Sequence, residues 1–177
     1  MLRTIILYGL IGGLIVAVPM FSLLVMNEGS HSSAQSMLTG YALMILGLSM
    51  VFIGVKSYRD KVRGGVIKFL PAFLLGLGIS FAAALIYVIG WEVVLYLTNY
   101  TFAAEYAAAT IEAAEAKGVP PAELEALRTQ YAEFERLYAN PLFRLPMTFI
   151  EIFPVGLIIS LITALLLRNP RFFPARA

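Results

Sequence analysis

The sequence contains no cysteine, a single histidine and few charged residues. The absence of cysteine excludes disulfide bonds, thiolate metal sites and a cysteine nucleophile. The lone histidine, His31, lies in a short polar stretch, where a solvated side chain is its ordinary role. No His-Glu-x-x-His motif occurs, and the serines of the apolar segments have no histidine near them in sequence to act as a base. We therefore expect no metal, no cofactor and no enzymatic activity.

Charge is scarce because long apolar runs fill the chain. Hydrophobic residues make up 60% of it and charged residues 14%, and the mean hydropathy is +0.83. A helix of roughly 20 apolar residues crosses a hydrocarbon core. Four runs of this kind predict an all-α, integral membrane four-helix bundle, with helices at about residues 4–26, 37–55, 69–98 and 145–167. A cleaved signal peptide is the rival interpretation of the first run, but the run is too long for one, so we expect a retained helix.

The basic residues crowd at segment ends that share one side of the membrane. If both termini are cytoplasmic, nine of the thirteen Lys and Arg residues fall on the cytoplasmic side, as the positive-inside rule prefers. Seven of the eleven acidic residues, all within 105–135, then lie outside. The basic group after the second segment has two open roles, setting the topology and contacting lipid headgroups. Its members are Lys56, Arg59, Lys61 and Arg63.

Small residues recur at helical spacings within the apolar segments. Hydrophobicity gives helices little reason to associate in lipid, so close backbone packing along stripes of small residues has to hold the bundle together. The predicted packing positions are Gly40, Gly47, Gly54, Gly76, Ser80, Gly156 and Ser160. Two prolines inside the runs, Pro19 and Pro154, predict helix kinks because each removes a backbone hydrogen bond.

About fifty residues separate the third and fourth segments, far more than a turn requires. Residues 99–117 are rich in alanine and glutamate and contain no helix breaker, so we expect the third segment to continue outward as one long helix. Gly118 and Pro120 would end it. Apolar residues from Leu124 to Tyr138 then recur every three or four positions, which is typical of a coiled-coil seam. The prediction is an extramembrane antiparallel helical hairpin at residues 99–140.

One acidic residue, Glu151, interrupts the fourth apolar run. Counting along the helices places it roughly one turn inside the outer boundary of the membrane, with Arg144 and Glu92 near that boundary. We therefore predict a small polar cluster of Glu92, Arg144 and Glu151. Two interpretations remain open: the cluster pins the hairpin to the bundle, or its spare carboxylate binds a proton or a cation.

Three stretches of the chain resemble a known family. They are VFIGVKSYRDKVRGG, YVIGWE and NPLFRLPMTFIEIFPVGLIISLITALLLR. They are similar to the signature stretches of a bacterial four-helix inner-membrane family known only as a domain of unknown function. The resemblance spans nearly the whole chain and implies four helices, both termini in the cytoplasm and a hairpin in the periplasm. The resemblance does not imply any molecular activity.

The sequence favours one kind of function and leaves a second open. We expect a non-catalytic membrane scaffold or accessory subunit that docks a second copy of itself or an envelope partner. The alternative is a small oligomeric transporter or channel component that uses an intramembrane carboxylate for a proton or a cation. The expected partners are membrane lipids and another copy or an envelope protein, and nothing indicates nucleic acid.

Overall fold

A computed structural model describes residues 1–26 and 33–175 of the chain. Within these ranges the chain is helical and contains no strand. His31 lies outside the described residues, as does Arg176. The helices are α1 (Leu2–Met26), α2 (Ser33–Val62), α3 (Phe69–Leu97), α4 (Phe102–Ala116), α5 (Pro121–Tyr138) and α6 (Pro141–Leu167).

Four of these helices are long and apolar enough to cross a membrane. The qualifying stretches are Leu2–Pro19 of α1, Leu38–Val62 of α2, and the whole of α3 and α6. Since a helix of roughly 20 apolar residues matches the thickness of a hydrocarbon core, the fold indicates a membrane-spanning protein.

Glycines of α1 bring its backbone against α3. A Cβ atom added at Gly13 would lie 2.6 Å from the Cβ of Ile86, and one added at Gly9 would collide with Ala82. The contacts advance together along both helices, so α1 and α3 run in the same direction. Side chains larger than hydrogen at these positions would force the two helices apart.

The predicted glycine stripe of α2 faces α1 and α3. A Cβ at Gly47 would lie 2.6 Å from the carbonyl oxygen of Gly12, and one at Gly54 would lie 2.9 Å from Tyr8. Because residue numbers rise along α2 as they fall along α1, these helices are antiparallel. Gly40 is also buried.

Small residues of α3 and α6 meet at the centre of the bundle. The Ser80 hydroxyl donates to the Gly156 carbonyl oxygen at 3.0 Å and lies 3.0 Å from the Ser160 hydroxyl. A Cβ at Gly76 would lie 3.1 Å from that of Ser160. These contacts make α3 and α6 antiparallel, and they satisfy the buried hydroxyl groups inside an apolar environment.

The space between the four long helices is filled by apolar side chains. Val16, Leu48, Val51, Leu75 and Ile152 are at most 1% exposed. Throughout the described ranges, no buried side-chain nitrogen or oxygen lacks a hydrogen-bond partner. The described interior of the bundle is therefore packed, and its buried polar side chains are paired.

The third and fourth helices are separate, so the prediction of one long outward helix was wrong. α3 ends at Leu97, and the Tyr100 N–H donates to the Leu95 carbonyl at 2.7 Å while the Asn99 N–H donates to Tyr96 at 3.3 Å. This pattern is a Schellman motif with Asn99 at its left-handed position, φ +53°. Asparagine tolerates that conformation better than most residues, which allows the chain to turn here.

The second helix is longer than predicted. It reaches Val62 rather than Val55 because its last two turns are polar but remain helical. The Lys56 ammonium pairs with the Asp60 carboxylate at 2.6 Å, one helical turn away. The apolar run therefore gave the end of the membrane-compatible stretch and not the end of the helix.

Proline lies within two of the membrane-length helices. Pro19 is inside α1, and Pro146 and Pro154 are inside α6. Each helix continues through its prolines as one element. α6 begins with a cap, since the Asn140 side chain accepts a hydrogen bond from the Leu142 N–H at 3.0 Å.

The two shorter helices, α4 and α5, pack against one another. The Tyr106 and Tyr131 rings meet with centroids 6.0 Å apart, and Arg128 bridges to Glu115 at 2.6 Å. Gly118, at φ +73°, ends α4 in a second left-handed turn. We refer to residues 102–138 as the α4–α5 pair.

Candidate functional site

A buried polar contact joins α3 to the start of α6. The Arg144 Nε donates to Glu92 Oε1 and its Nη2 donates to Oε2, both at 2.7 Å. Arg144 is 3% exposed, and the Glu92 side chain is 27% exposed. The planar guanidinium matches the two oxygens of the carboxylate, so this is a bidentate ion pair with a fixed geometry. The prediction that these two residues lie together identified this pair.

Arg144 also holds the end of α5. Its Nη1 donates to the carbonyl oxygens of Tyr138 at 2.9 Å and Ala139 at 3.5 Å. Carbonyl groups at a helix C-terminus lack partners within the helix, and a cation there is favourable. One side chain therefore ties α3, the end of α5 and the start of α6 together.

An aromatic cluster reinforces this junction. The Trp91 indole N–H donates to the Tyr138 hydroxyl at 2.6 Å, and the Trp91 ring meets Phe102 edge to face at 4.7 Å. Phe21 of α1 lies 5.6 Å from Trp91 between ring centroids. Burial raises the pKa of the Tyr138 phenol above its usual value. The cluster thus runs from the bundle into the α4–α5 pair. The sequence did not predict the contact between Tyr138 and Trp91, because it identified Tyr138 only as part of the coiled-coil seam.

Glu151 lies apart from the Arg144 pair. Its carboxylate is hydrogen-bonded to the Tyr87 hydroxyl, and Tyr87 is 2% exposed. In the part of the chain that the structure covers, no ion pair links Glu151 to Arg144. The predicted cluster of three is therefore a bidentate pair and a separate carboxylate.

The surroundings of Glu151 are apolar and outward-facing. Glu151 itself is exposed, and so are Ile150, Leu157 and Ile158 on the same helix. A carboxylate on the surface of a membrane-spanning helix is costly to keep in hydrocarbon, which marks such a residue for attention.

A second buried cation lies at the opposite end of the bundle and corrects a prediction. Arg59 is 0% exposed, so it does not face lipid headgroups as expected. Its Nε donates to Asp60 at 2.7 Å, and its Nη atoms donate to the carbonyl oxygens of Phe172, at 3.0 Å, and Phe173. The chain after α6 folds back over Arg59, and both rings pack against Phe52.

The other residues of that basic group are more accessible. Lys61 and Arg63 are exposed. The Lys56 side chain is 30% exposed and is paired with Asp60. Of the four residues in this group, Lys61 and Arg63 are therefore the exposed cations, and neither has an ion pair with a described residue.

The described residues contain no evident set of side chains that could together bind a metal ion. Among the residues with described positions, no group of three or more His, Asp and Glu side chains is placed to hold an ion.

The fold and these contacts define a class of protein. Four membrane-length helices surround an apolar core, and the Arg144 side chain ties the end of a further helix pair to them, as in a multi-pass helical membrane protein. A family model described as "Protein of unknown function (DUF4199)" matches residues 7–169, and the chain belongs to this family. This confirms the resemblance to a family known only as a domain of unknown function. No curated protein and no solved structure matches the chain.

Proposed function

We propose that the protein is a non-catalytic scaffold or accessory subunit of a bacterial inner membrane. In this proposal the α4–α5 pair is a periplasmic hairpin that docks a second copy of the chain or an envelope partner. The observation that carries the proposal is the buried Arg144 side chain, which pairs with Glu92 of α3 and also donates to the Tyr138 carbonyl at the end of α5. It fixes the helix pair at a defined position relative to the bundle, as a docking surface requires.

The distribution of side chains supports this role. The α4–α5 pair has few buried residues of its own, namely Ala103, Ala107 and Tyr138, and it exposes most of its remaining surface. The bundle interior is packed with apolar side chains, which leaves little room for a substrate path within one copy. Surface outside the bundle is therefore where a partner would bind.

The charge distribution supports the proposed orientation. α1 and α3 begin, and α2 and α6 end, at the same end of the bundle, and Arg3, Lys61, Lys68 and Arg168 lie there. The acidic residues of the α4–α5 pair lie toward the other end. By the positive-inside rule, both termini are cytoplasmic and the pair is periplasmic.

Site-directed cross-linking tests the docking role. Since the chain has no cysteine, a single one can be introduced at the exposed Ala108 of α4 and labelled with a photoactivatable maleimide in native membranes. We expect one discrete cross-linked product of fixed stoichiometry. The control is a cysteine in place of Ile45, a residue of α2 that is 60% exposed on the bundle surface, which should give lipid adducts only. The same products from both positions, or none from Ala108, would contradict the docking role.

A second function is favoured by the position of Glu151. Its carboxylate lies on the outer surface of α6, hydrogen-bonded to a buried tyrosine, where another copy could complete a site for a proton or a cation. Because the core of one copy is filled, this role requires an oligomer. It makes the protein a small transporter or channel component.

Replacing Glu151 with glutamine separates the two functions. Glutamine keeps the size and hydrogen-bonding capacity of the side chain but cannot carry the charge. If the carboxylate carries ions, we expect Glu151→Gln to assemble normally and to abolish ion flux into vesicles reconstituted with the protein. The matched control is Glu112→Gln on the exposed face of α4. Equal flux in the variant and the wild type would rule out the transport role for Glu151.

A further inference from the structure

A cavity opens where the α4–α5 pair meets the bundle. Its volume is about 410 Å³, within the range of small-molecule sites. Leu95, Ala103 and Ala104 form much of its apolar wall, and Tyr100, Tyr138, Glu135 and Arg144 contribute polar groups. The alanines of α4 were interpreted from the sequence only as helix formers. Their small side chains leave the volume of the cavity unfilled.

Two polar groups at the cavity have unused hydrogen-bonding capacity. A guanidinium has five N–H groups, and four of those of Arg144 donate within the chain, two to Glu92 and two to carbonyl oxygens. The fifth, on Nη2, has no acceptor among the residues the structure describes. The carboxylate of Glu135 is half-buried and receives no hydrogen bond or ion pair from those residues. One cavity therefore offers one free donor on a cation and one free carboxylate.

The cavity wall also contains a residue in a strained conformation. Tyr100 has φ +60°, although it is neither glycine nor asparagine. Its ring lies 5.2 Å from the Arg144 guanidinium carbon. Strain of this kind persists where surrounding contacts hold the residue in place, and such residues cluster at ligand sites.

The position of the cavity relative to the membrane indicates which class of ligand can reach it. Glu151 is predicted to lie roughly one turn inside the outer boundary of the membrane, so Arg144, seven residues earlier in α6, lies about 5 Å outside that boundary. That distance falls within the layer of lipid headgroups. Ile89 of α3 and Met147 of α6, at 60% and 44% exposed, each lie three residues to the membrane side of Glu92 and Arg144, where acyl chains could pack.

We propose that this cavity binds the headgroup of an aminophospholipid. The primary ammonium pairs with the Glu135 carboxylate, the phosphate accepts the free N–H of Arg144, and the acyl chains extend along the apolar surface below. A zwitterionic headgroup carries one charge of each sign, so a single molecule can use both the free acceptor and the free donor. The headgroup also satisfies both groups at a depth where water is limited. This inference is independent of the docking role.

Lipid titration followed by native mass spectrometry tests the site. The delipidated full-length protein in detergent is titrated with phosphatidylethanolamine, phosphatidylglycerol and phosphatidylcholine of identical acyl chains. We expect the ethanolamine lipid to bind most tightly, because only its ammonium has N–H donors for Glu135. Glu135→Gln should weaken that lipid about tenfold and leave phosphatidylglycerol unchanged. The matched control, Glu133→Gln, lies two residues away on the exposed face of α5 and should bind as the wild type does.

A second variant and a soluble competitor complete the test. Ala104→Phe places a ring in the cavity without altering either charge, and it should also weaken the ethanolamine lipid. Equal binding of all three lipids, or binding unaffected by both variants, would overturn the proposal. Free phosphoethanolamine that binds as tightly as the lipid would assign the cavity to a soluble amine and overturn the lipid source.

Discussion

Replacing Arg144 with methionine is expected to lower the Tm of the purified protein by about 6–12 °C. The variant leaves the Glu92 carboxylate and the Tyr138 carbonyl without their shared donor. Removal of one partner from a buried ion pair costs about 3–5 kcal/mol. We use the lower value of this range because the Glu92 side chain is partly exposed to solvent. For a chain of this size, about 3 kcal/mol corresponds to that shift. Thermal unfolding in lipid nanodiscs, followed by circular dichroism, measures it.

The double variant Glu92→Leu with Arg144→Met is the control for this prediction. Replacing both members of a buried pair with apolar residues is often nearly neutral, so most of the lost stability should return. Recovery should be incomplete because the Tyr138 carbonyl remains without its donor. If the two single substitutions instead add in the double variant, the residues are not coupled, and the account of the junction fails.

Replacing Arg59 with methionine is expected to release the chain after α6. The variant removes the donor to the carbonyl groups of Phe172 and Phe173 and leaves Asp60 with Lys56 alone. The released carbonyl groups regain hydrogen bonds to water, so we expect a net loss of about 2 kcal/mol, the scale of one hydrogen bond to a charged group, and a Tm lower by about 4–8 °C. Faster trypsin cleavage after Arg168 and Arg171 should accompany the change.

The matched control for that variant is Arg63→Met. Arg63 lies one turn further along, is exposed, and contacts neither Phe172 nor Phe173. We expect its Tm and its rate of cleavage to equal those of the wild type. Equal cleavage of the Arg59→Met and wild-type proteins would show that the buried guanidinium does not hold the segment.

Much of the architecture follows from composition alone. Four apolar runs are long enough to cross a membrane, and they are continuous where the strands of a barrel would be short and alternating, so the membrane helices could be predicted. The ends of these helices were harder. Apolarity stops at Val55, but helix propensity and the Lys56–Asp60 pair continue α2 to Val62. The end of an apolar run therefore does not mark the end of the helix, because the backbone hydrogen bonds continue into the polar residues that follow.

The turn after α3 shows a second limit of prediction from sequence. Residues 99–117 have the composition of a helix, yet Asn99 and Tyr100 both adopt positive φ. The preference of asparagine for left-handed turns was a usable signal, but it is weak beside a long alanine-rich stretch. The conformation of Tyr100, by contrast, has no signal in the sequence.

The candidate site was predictable where counting along each helix fixes the depth of a residue, and not where the direction of a side chain decides its partner. Counting residues placed Arg144 and Glu92 at one level of the membrane, and the structure joins them. The same counting placed Glu151 nearby, but its partner is Tyr87 on α3. Arg59 was predicted to face lipid because the residues that bury it, Phe172 and Phe173, are more than a hundred positions away in the sequence.

Native mass spectrometry of the protein released from its own membranes in lipid particles, without overexpression, tests the docking role most directly. The account predicts a stoichiometric companion, either an envelope protein or a second copy, and that companion should be lost when residues 102–138 are replaced by a short flexible linker. A protein released as a single copy with lipid alone would contradict it. A homo-oligomer that survives the replacement would contradict it as well, because its contacts would then lie in the bundle.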